Sequence, residues 1–316
     1  MKRTAGLVAM AVTVVVWAGF ALSIRGIGAS SLTTADAALI RFGLPVVLLS
    51  PWIPRTLRAL RTERPLVAGA VCLGAGLPYF LVAALGGRLT SAALVGMVIP
   101  GSVPVFVTLM TRTRPVRAAA LAMIVTGAGV AAWSGGPGVL VLLLAGLIWS
   151  VYTVGLRATG LDPIGAALLV CAPSALVTAL LLVTGTLPSH LGSVSPSYLG
   201  SVSPAHLGAV RPADLLTYLV VQGAGVGVLA ALAYAYAIRH LGGPTAATLG
   251  AASPVLTALA AVPLFGERLT VHDLVSLALI VAGVVTFSAK GATRHDDDPA
   301  PTEDRRALAA HRGLRG

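Results

Sequence analysis

Apolar runs of about twenty residues alternate along the chain with short breaks that carry most of the charge and many of the prolines and glycines. A bilayer core of about 30 Å takes about 20 residues of helix per crossing. Ten runs meet that length, and they predict helices at 6–24, 35–53, 66–86, 89–110, 117–134, 138–157, 163–187, 214–238, 243–265 and 271–289. Pro78, Pro100, Pro104, Pro173 and Pro254 fall inside runs. Each would break a soluble helix, but in a bundle the neighbours can satisfy the freed backbone groups.

Composition agrees with that pattern. Apolar residues make up 56% of the chain and charged residues 10%, against about 25% charged in an average soluble domain. A soluble enzyme, a disordered chain and a nucleic-acid partner are excluded. The fold class predicted is all-α, a polytopic protein in a lipid bilayer. The net charge of +11 is informative through its placement. With the first residue in the cytoplasm, the inner loops and the near tail hold 13 Lys and Arg, among them Arg55, Arg58, Arg61, Arg64, Arg112, Arg157 and Arg239. The outer side holds four: Arg25, Arg88, Arg211 and Arg268. The positive-inside rule therefore predicts both termini in the cytoplasm. Lys2 and Lys290 are the only lysines against 20 arginines, which with the Ala/Gly/Val/Leu richness points to a GC-rich bacterium and its plasma membrane. Cys72 and Cys171 lie in apolar runs without metal-ligand spacing and read as small packing residues.

Lys2 and Arg3 before an apolar run also fit a signal peptide. That run has an internal copy, however: Trp17, Phe20 and Arg25 match Trp149, Tyr152 and Arg157 at a shift of 132. A copied segment is structure, so it is expected to be retained. Further on, Ser91, Ala92, Ala93, Gly96 and Pro100 match Thr245, Ala246, Ala247, Gly250 and Pro254 at a shift of 154. Arg114, Ala128, Gly129, Val130 and Ser134 match Arg268, Ala282, Gly283, Val284 and Ser288 at the same shift. A length close to the difference of 22 is supplied by three tandem octads, LGSVSPSY, LGSVSPAH and LGAVRPAD, which run from Leu191 to Asp214 and make up most of an outer loop at 188–213. Rich in Ser, Pro and Gly, they predict a flexible or extended connection. The chain then divides into a five-helix repeat over 1–135, a second over 136–289, and a charged, disordered cytoplasmic tail over 290–316. Five is odd, so the second repeat enters the membrane from the opposite face. Inverted repeats of this kind occur in many secondary transporters, with the substrate site near midplane between the halves.

The sequence resembles the EamA branch of the drug/metabolite transporter superfamily. The resemblance rests on Trp17 to Phe20 with Arg25, on Arg41 and Phe42, on Ser91 to Ala93 with Pro100 or Pro104, and on Gly243 to Ala247. It continues through Ser253 and Pro254 to the Gly266-Glu267-Arg268-Leu269 motif. Together these cover about residues 5–289. The first half departs from the pattern, with Arg112-Thr113-Arg114-Pro115 in place of the Gly-Glu-Arg-Leu motif. The resemblance implies an exporter of a small metabolite, amino acid-like or drug-like, working by alternating access as a monomer or homodimer.

Few residues carry chemistry. The six histidines are scattered over loops and tail, and the acids sit in loops, at span ends or in the tail. Neither metal, cofactor nor catalytic centre is expected. A midplane carboxylate, the usual proton relay, is missing, so the residues do not support proton coupling. Arg41 is the one basic residue that lies inside a predicted span and not at its end. It either faces a polar interior, where it would attract a carboxylate or other anion, or snorkels to the headgroups. Gln222 is the one amide in a span and could bond a substrate or a neighbouring helix. The substrate-binding residues predicted are Trp17, Phe20, Arg41, Tyr79, Trp149, Tyr152, Gln222 and Tyr234, a cavity lined by rings from both repeats. Ordinary packing or interfacial belts are the alternative for each ring. Glu267 and Arg268 read as an exposed pair at an outer helix end, of little energetic weight. Two other functions are weighed: an intramembrane enzyme, which would need buried acids, histidines or metal motifs, and a membrane-embedded lipid-handling protein.

Overall fold

The structure is a computed structural model that describes residues 2–112, 118–191 and 210–289. The octads between 192 and 209, Arg114, Arg117 and the tail from Lys290 lie outside the described residues. Helix accounts for 87% of those described, and no strand occurs among them. The helices are α1 Lys2–Gly26, α2 Thr34–Leu48, α3 Ile53–Leu60, α4 Pro65–Ala75, α5 Leu77–Leu89, α6 Ala92–Thr111 and α7 Ala118–Gly135. They continue with α8 Pro137–Ala158, α9 Pro163–Val183, α10 Pro212–Tyr218, a π-helical stretch Leu219–Leu229, α11 Ala230–Leu241, α12 Gly243–Gly250, α13 Ala252–Phe265 and α14 Val271–Ala289. Among the described residues, eight segments are long and apolar enough to cross a membrane. Of the two remaining predicted spans, one falls on a bent pair and one on a shorter apolar helix, Ala118–Trp133. The chain is an all-α, multi-pass membrane protein.

Helix starts follow local chemistry. Proline occupies the first turn of α4, α5, α8, α9, α10 and α12, where its missing N–H has no helical partner to lose. Thr33 and Asp36 close a capping box on α2, and Asp162 accepts the Gly165 amide at 2.7 Å to cap α9. Large apolar side chains, including Leu66, Leu176 and Val271, lie on the outside, as a lipid solvent allows.

Three predicted spans differ in detail. The run at 35–53 was expected to be one helix; α2 instead ends at Leu48, and a 62° bend leads into α3. The bend falls at Leu49, just before Ser50 and Pro51, and α3 carries Arg55 and Arg58, charges that the bilayer core would not accept. The span at 66–86 breaks at Gly76, whose added Cβ would lie 2.3 Å from the Cys72 carbonyl oxygen and 2.6 Å from Ser174 Oγ. The span at 214–238 is widened to π geometry over the Gly223, Gly225 and Gly227 stretch. Such widenings occur often at functional sites.

Packing pairs the two halves of the chain element by element. α1 packs on α11, and α8 packs on α4 and α5; α2 packs on α9, α6 on α13, and α7 on α14. Gly6 near the start of α1 meets Leu241 at the end of α11, and Gly138 at the start of α8 meets Leu89 at the end of α5. Gly87 meets Ile24, so α1 finishes at the end of the bundle where α8 begins. These two helices run in opposite senses.

Candidate functional site

Arg41 lies on the third turn of α2 and is 6% exposed, so it does not snorkel. Its Nη1 donates to Gln222 Oε1 at 2.9 Å, and Gln222 Nε2 donates to Ser23 Oγ at 2.7 Å. Ser23 Oγ in turn donates to the Phe20 carbonyl at 2.9 Å. A polar chain therefore joins α2, the π-helical stretch and α1 in the bundle interior. Glycines bring the elements close enough for it. A Cβ on Gly223 would lie 3.3 Å from the Ile40 carbonyl oxygen, and one on Gly227 would lie 2.3 Å from Pro45 Cγ. Small residues of this kind let membrane helices approach backbone to backbone.

Around the guanidinium stand three rings. Its Cζ lies 5.1 Å from the centroid of Phe20, 5.5 Å from Phe42 and 5.8 Å from Phe80, within the range at which a ring quadrupole attracts a cation. From Phe20 the aromatic row continues to Tyr79 at 6.1 Å, on to Trp149 at 4.8 Å, and on to Tyr152 at 4.9 Å. Tyr79 and Phe80 sit on the first turn of α5, so the break at Gly76 places both rings beside Arg41. Gly74 does the same for Tyr152: its added Cβ would come within 2.4 Å of the Tyr152 backbone nitrogen. Arg41 has no carboxylate partner among the described residues, and its buried Nε has no hydrogen-bond partner.

Six of the eight predicted site residues are thus assembled: Phe20, Arg41, Tyr79, Trp149, Tyr152 and Gln222. Trp17 and Tyr234 pair with each other at 5.0 Å in a separate cluster with Met10, Ala237 and Ala246. That pair is the counterpart of Trp149 with Tyr79, with the two halves of the chain exchanged. Ser23, Phe42 and Phe80 belong to the site but were not among the predicted residues. Phe42 had a signal in its place after Arg41, whereas Ser23 and Phe80 had none. An open groove of about 730 Å³ lies elsewhere, between α1 and α11, lined by Thr4, Ala5, Val8, Ala9, Val12, Leu229 and Ala233. It is almost wholly apolar, like the flank of a helix pair that faces acyl chains.

The acids act at the ends of the bundle. Glu267 does not pair with Arg268 as expected. It accepts the Ala92 amide at 2.8 Å and the Ala93 amide at 3.4 Å, capping α6, and lies 3.6 Å from Arg25 Nε. Gly266, at φ +63°, supplies the left-handed turn that sends Glu267 back across the bundle. At the same end Asp214 accepts the Ser31 amide at 2.7 Å, and Tyr218 donates to the Ser23 carbonyl at 2.8 Å. Fully buried Asp36 accepts Ser189 Oγ at 2.5 Å and the His190 amide at 2.9 Å. At the opposite end Arg55 pairs with Asp162 at 2.8 Å, and Glu63 accepts the Gly160 amide at 2.7 Å. No group of three metal-binding side chains occurs among the described residues.

The EamA-like transporter family matches residues 136–289. The match covers just under half of the chain. It is consistent with a membrane transporter of the drug/metabolite superfamily. One solved crystal structure, described only as that of a protein, covers 90% of this chain and 97% of its own, with a TM-score of 0.57 and 22% identity. At that identity the likeness is one of fold. No curated protein matches the chain.

Proposed function

We propose that the protein is a secondary transporter that exports a small metabolite, amino acid-like or drug-like, across a bacterial plasma membrane by alternating access. Residues 1–135 and 136–289 act as two inverted five-helix repeats, with both termini cytoplasmic. The observation that carries this reading is the Arg41–Gln222–Ser23 chain. It couples the two halves through a buried polar contact, inside a row of rings, where lipid-facing packing alone would place none. The opposite course of α1 and α8 and the exchange-symmetric pairing of helices support the inverted arrangement. Phe20, Arg41, Tyr79, Trp149, Tyr152 and Gln222 line the substrate path in this reading, with Trp17 and Tyr234 on its side toward the first turns of α1.

The end bearing Arg25 is tied by the buried Asp36 and by Glu267, whose side chain is 12% exposed, whereas the end bearing Arg55 is tied by an ion pair with side chains 68% and 38% exposed and by the exposed Glu63–Gly160 contact. Exposed pairs contribute about 0–1 kcal/mol, so the Arg55 end opens at less loss. Arginine placement puts that end in the cytoplasm, where an exporter takes its cargo. Counterflow in liposomes containing the purified protein tests the reading, using labelled amino acids and amphipathic drugs. Saturable exchange that depends on an unlabelled internal pool is expected. Its absence across the set, from protein that remains folded, overturns transport; movement of labelled phospholipid in its place would favour a lipid-handling role. Reporter fusions at Gly135 and Gly160 test the topology, and finding both on one face would refute the inverted repeat.

A further inference from the structure

We infer that the substrate is an anion with a flat apolar body, whose carboxylate takes the Nε edge of Arg41 while the body lies against Phe20, Tyr79 and Trp149. This rests on the transport reading above and narrows its substrate class. Only one hydrogen bond leaves the Arg41 guanidinium, from Nη1 to Gln222. The Nε–H is buried and unpartnered, and Nη2, on the same edge, makes no hydrogen bond among the described residues. That edge is the fork that holds a carboxylate bidentately. No described acid fills it: the described carboxylates are committed at the two ends of the bundle, and the three ion pairs among the described residues involve Arg25, Arg55 and Arg211.

A buried charge without a counter-ion is retained at a large desolvation penalty. Three ring faces and a neutral amide offset part of it, and a cationic ligand would make it worse. A neutral ligand would leave Nε as it is. An anion answers it. The rings then define the rest of the ligand: Phe20, Trp149 and Tyr152 are only half-buried, and the row from Phe20 to Trp149 offers faces for a planar group. Arg41 itself is enclosed here, so the carboxylate reaches it when α2 and the π-helical stretch part.

Calorimetry on the purified wild-type protein tests this with four small probes: phenylacetate, phenylacetamide, phenethylamine and acetate. Phenylacetate is expected to bind saturably and at least tenfold more tightly than each of the others. Equal or tighter binding of the amide or the amine overturns the anion assignment, and equal binding of acetate overturns the role of the rings. Two variants follow. Arg41→Lys keeps the charge without the fork and is expected to weaken phenylacetate at least tenfold, and Arg41→Gln to abolish its binding. The wild-type series stands even if neither variant folds. Counterflow of a labelled amine pool and a labelled carboxylate pool is run beside it. Exchange of amines without carboxylate binding overturns this inference and leaves transport standing; carboxylate binding with no exchange of either pool overturns transport alone.

Discussion

Two glycines of one helix separate close packing from helix propensity. Gly69 and Gly74 both lie in α4, five residues apart. A Cβ at Gly69 meets nothing within 4 Å, whereas one at Gly74 would lie 2.4 Å from the Tyr152 nitrogen, 2.7 Å from its Cα and 2.8 Å from its Cβ. Alanine is favoured over glycine in a helix by about 1 kcal/mol. Gly69→Ala should therefore stabilise by about 0.5–1 kcal/mol. Gly74→Ala receives the same gain but forces α4 from α8 by roughly 1 Å, because backbone cannot rotate aside as a side chain can. Overpacking of this kind costs about 1–3 kcal/mol, so the net effect is destabilisation by about 1–2 kcal/mol. The two variants should differ by about 2 kcal/mol in reversible unfolding measured in one detergent. Gly74→Ala should also weaken ligand binding, since it displaces the backbone that sets Tyr152 against Trp149. Shifts of the same sign in both variants, or a Gly74→Ala protein as stable as wild type, would refute the packing argument.

Other positions give sharp expectations. Arg112 caps α6 in the left-handed conformation, at φ +48°; Arg112→Gly should raise stability by about 1 kcal/mol in the same unfolding assay. Asp36→Ala removes a capping box and the ties to Ser189 and His190, and should lower stability by at least about 2 kcal/mol. Asparagine at that position should recover part of it. Gly227→Ala pushes the π-helical stretch off Pro45 and breaks the Arg41–Gln222 contact. It should slow counterflow by about tenfold or more, while Gly129→Ala, with nothing within 4 Å, leaves the rate unchanged.

The helices were legible because lipid allows few alternatives: a run of twenty apolar residues has to satisfy its own backbone. Arg41 and Gln222 stood out for the same reason, since a polar group inside a span demands a partner. Their being partners of each other was not legible, because they stand 181 residues apart. Pro78 signalled the break at Gly76, but the hydroxyl of Ser174 on α9 that accepts the freed Leu77 amide was not legible, since it stands 97 residues away. Phe80 and Ser23 resemble ordinary packing residues in any apolar stretch. Trp17 and Tyr234 were grouped with the site on repeat symmetry, yet the same symmetry pairs them on their own: exchange of halves turns Trp149–Tyr79 into Trp17–Tyr234. The Glu267 cap was hidden for a different reason. Its sequence neighbour Arg268 offers an obvious partner, whereas Gly266 turns the carboxylate toward Ala92, 175 residues earlier. At the equivalent place in the first half, 154 residues earlier, Arg112 adopts a similar left-handed turn, but Thr113 follows it and no carboxylate is available.

That difference between the two ends predicts which one resists opening. Glu267 is 12% exposed and satisfies two α6 amides that would otherwise have no helical partner. Hydrogen bonds to a charged group contribute about 1.5–3 kcal/mol. The Arg55–Asp162 pair is mostly solvated and contributes about 0–1 kcal/mol. The native thiol of Cys171, 5% exposed and within electrostatic reach of Arg41, reports on either opening. In a Cys72→Ser background, alkylation of Cys171 by a permeant maleimide should quicken by about fivefold or more in Glu267→Gln, since roughly 1 kcal/mol is a factor of about five. Arg55→Ala should change the rate by less than about twofold. A larger effect from Arg55→Ala than from Glu267→Gln would mean that the solvated pair, and not the buried cap, holds the closed state, and the direction of transport argued from it would lose its basis.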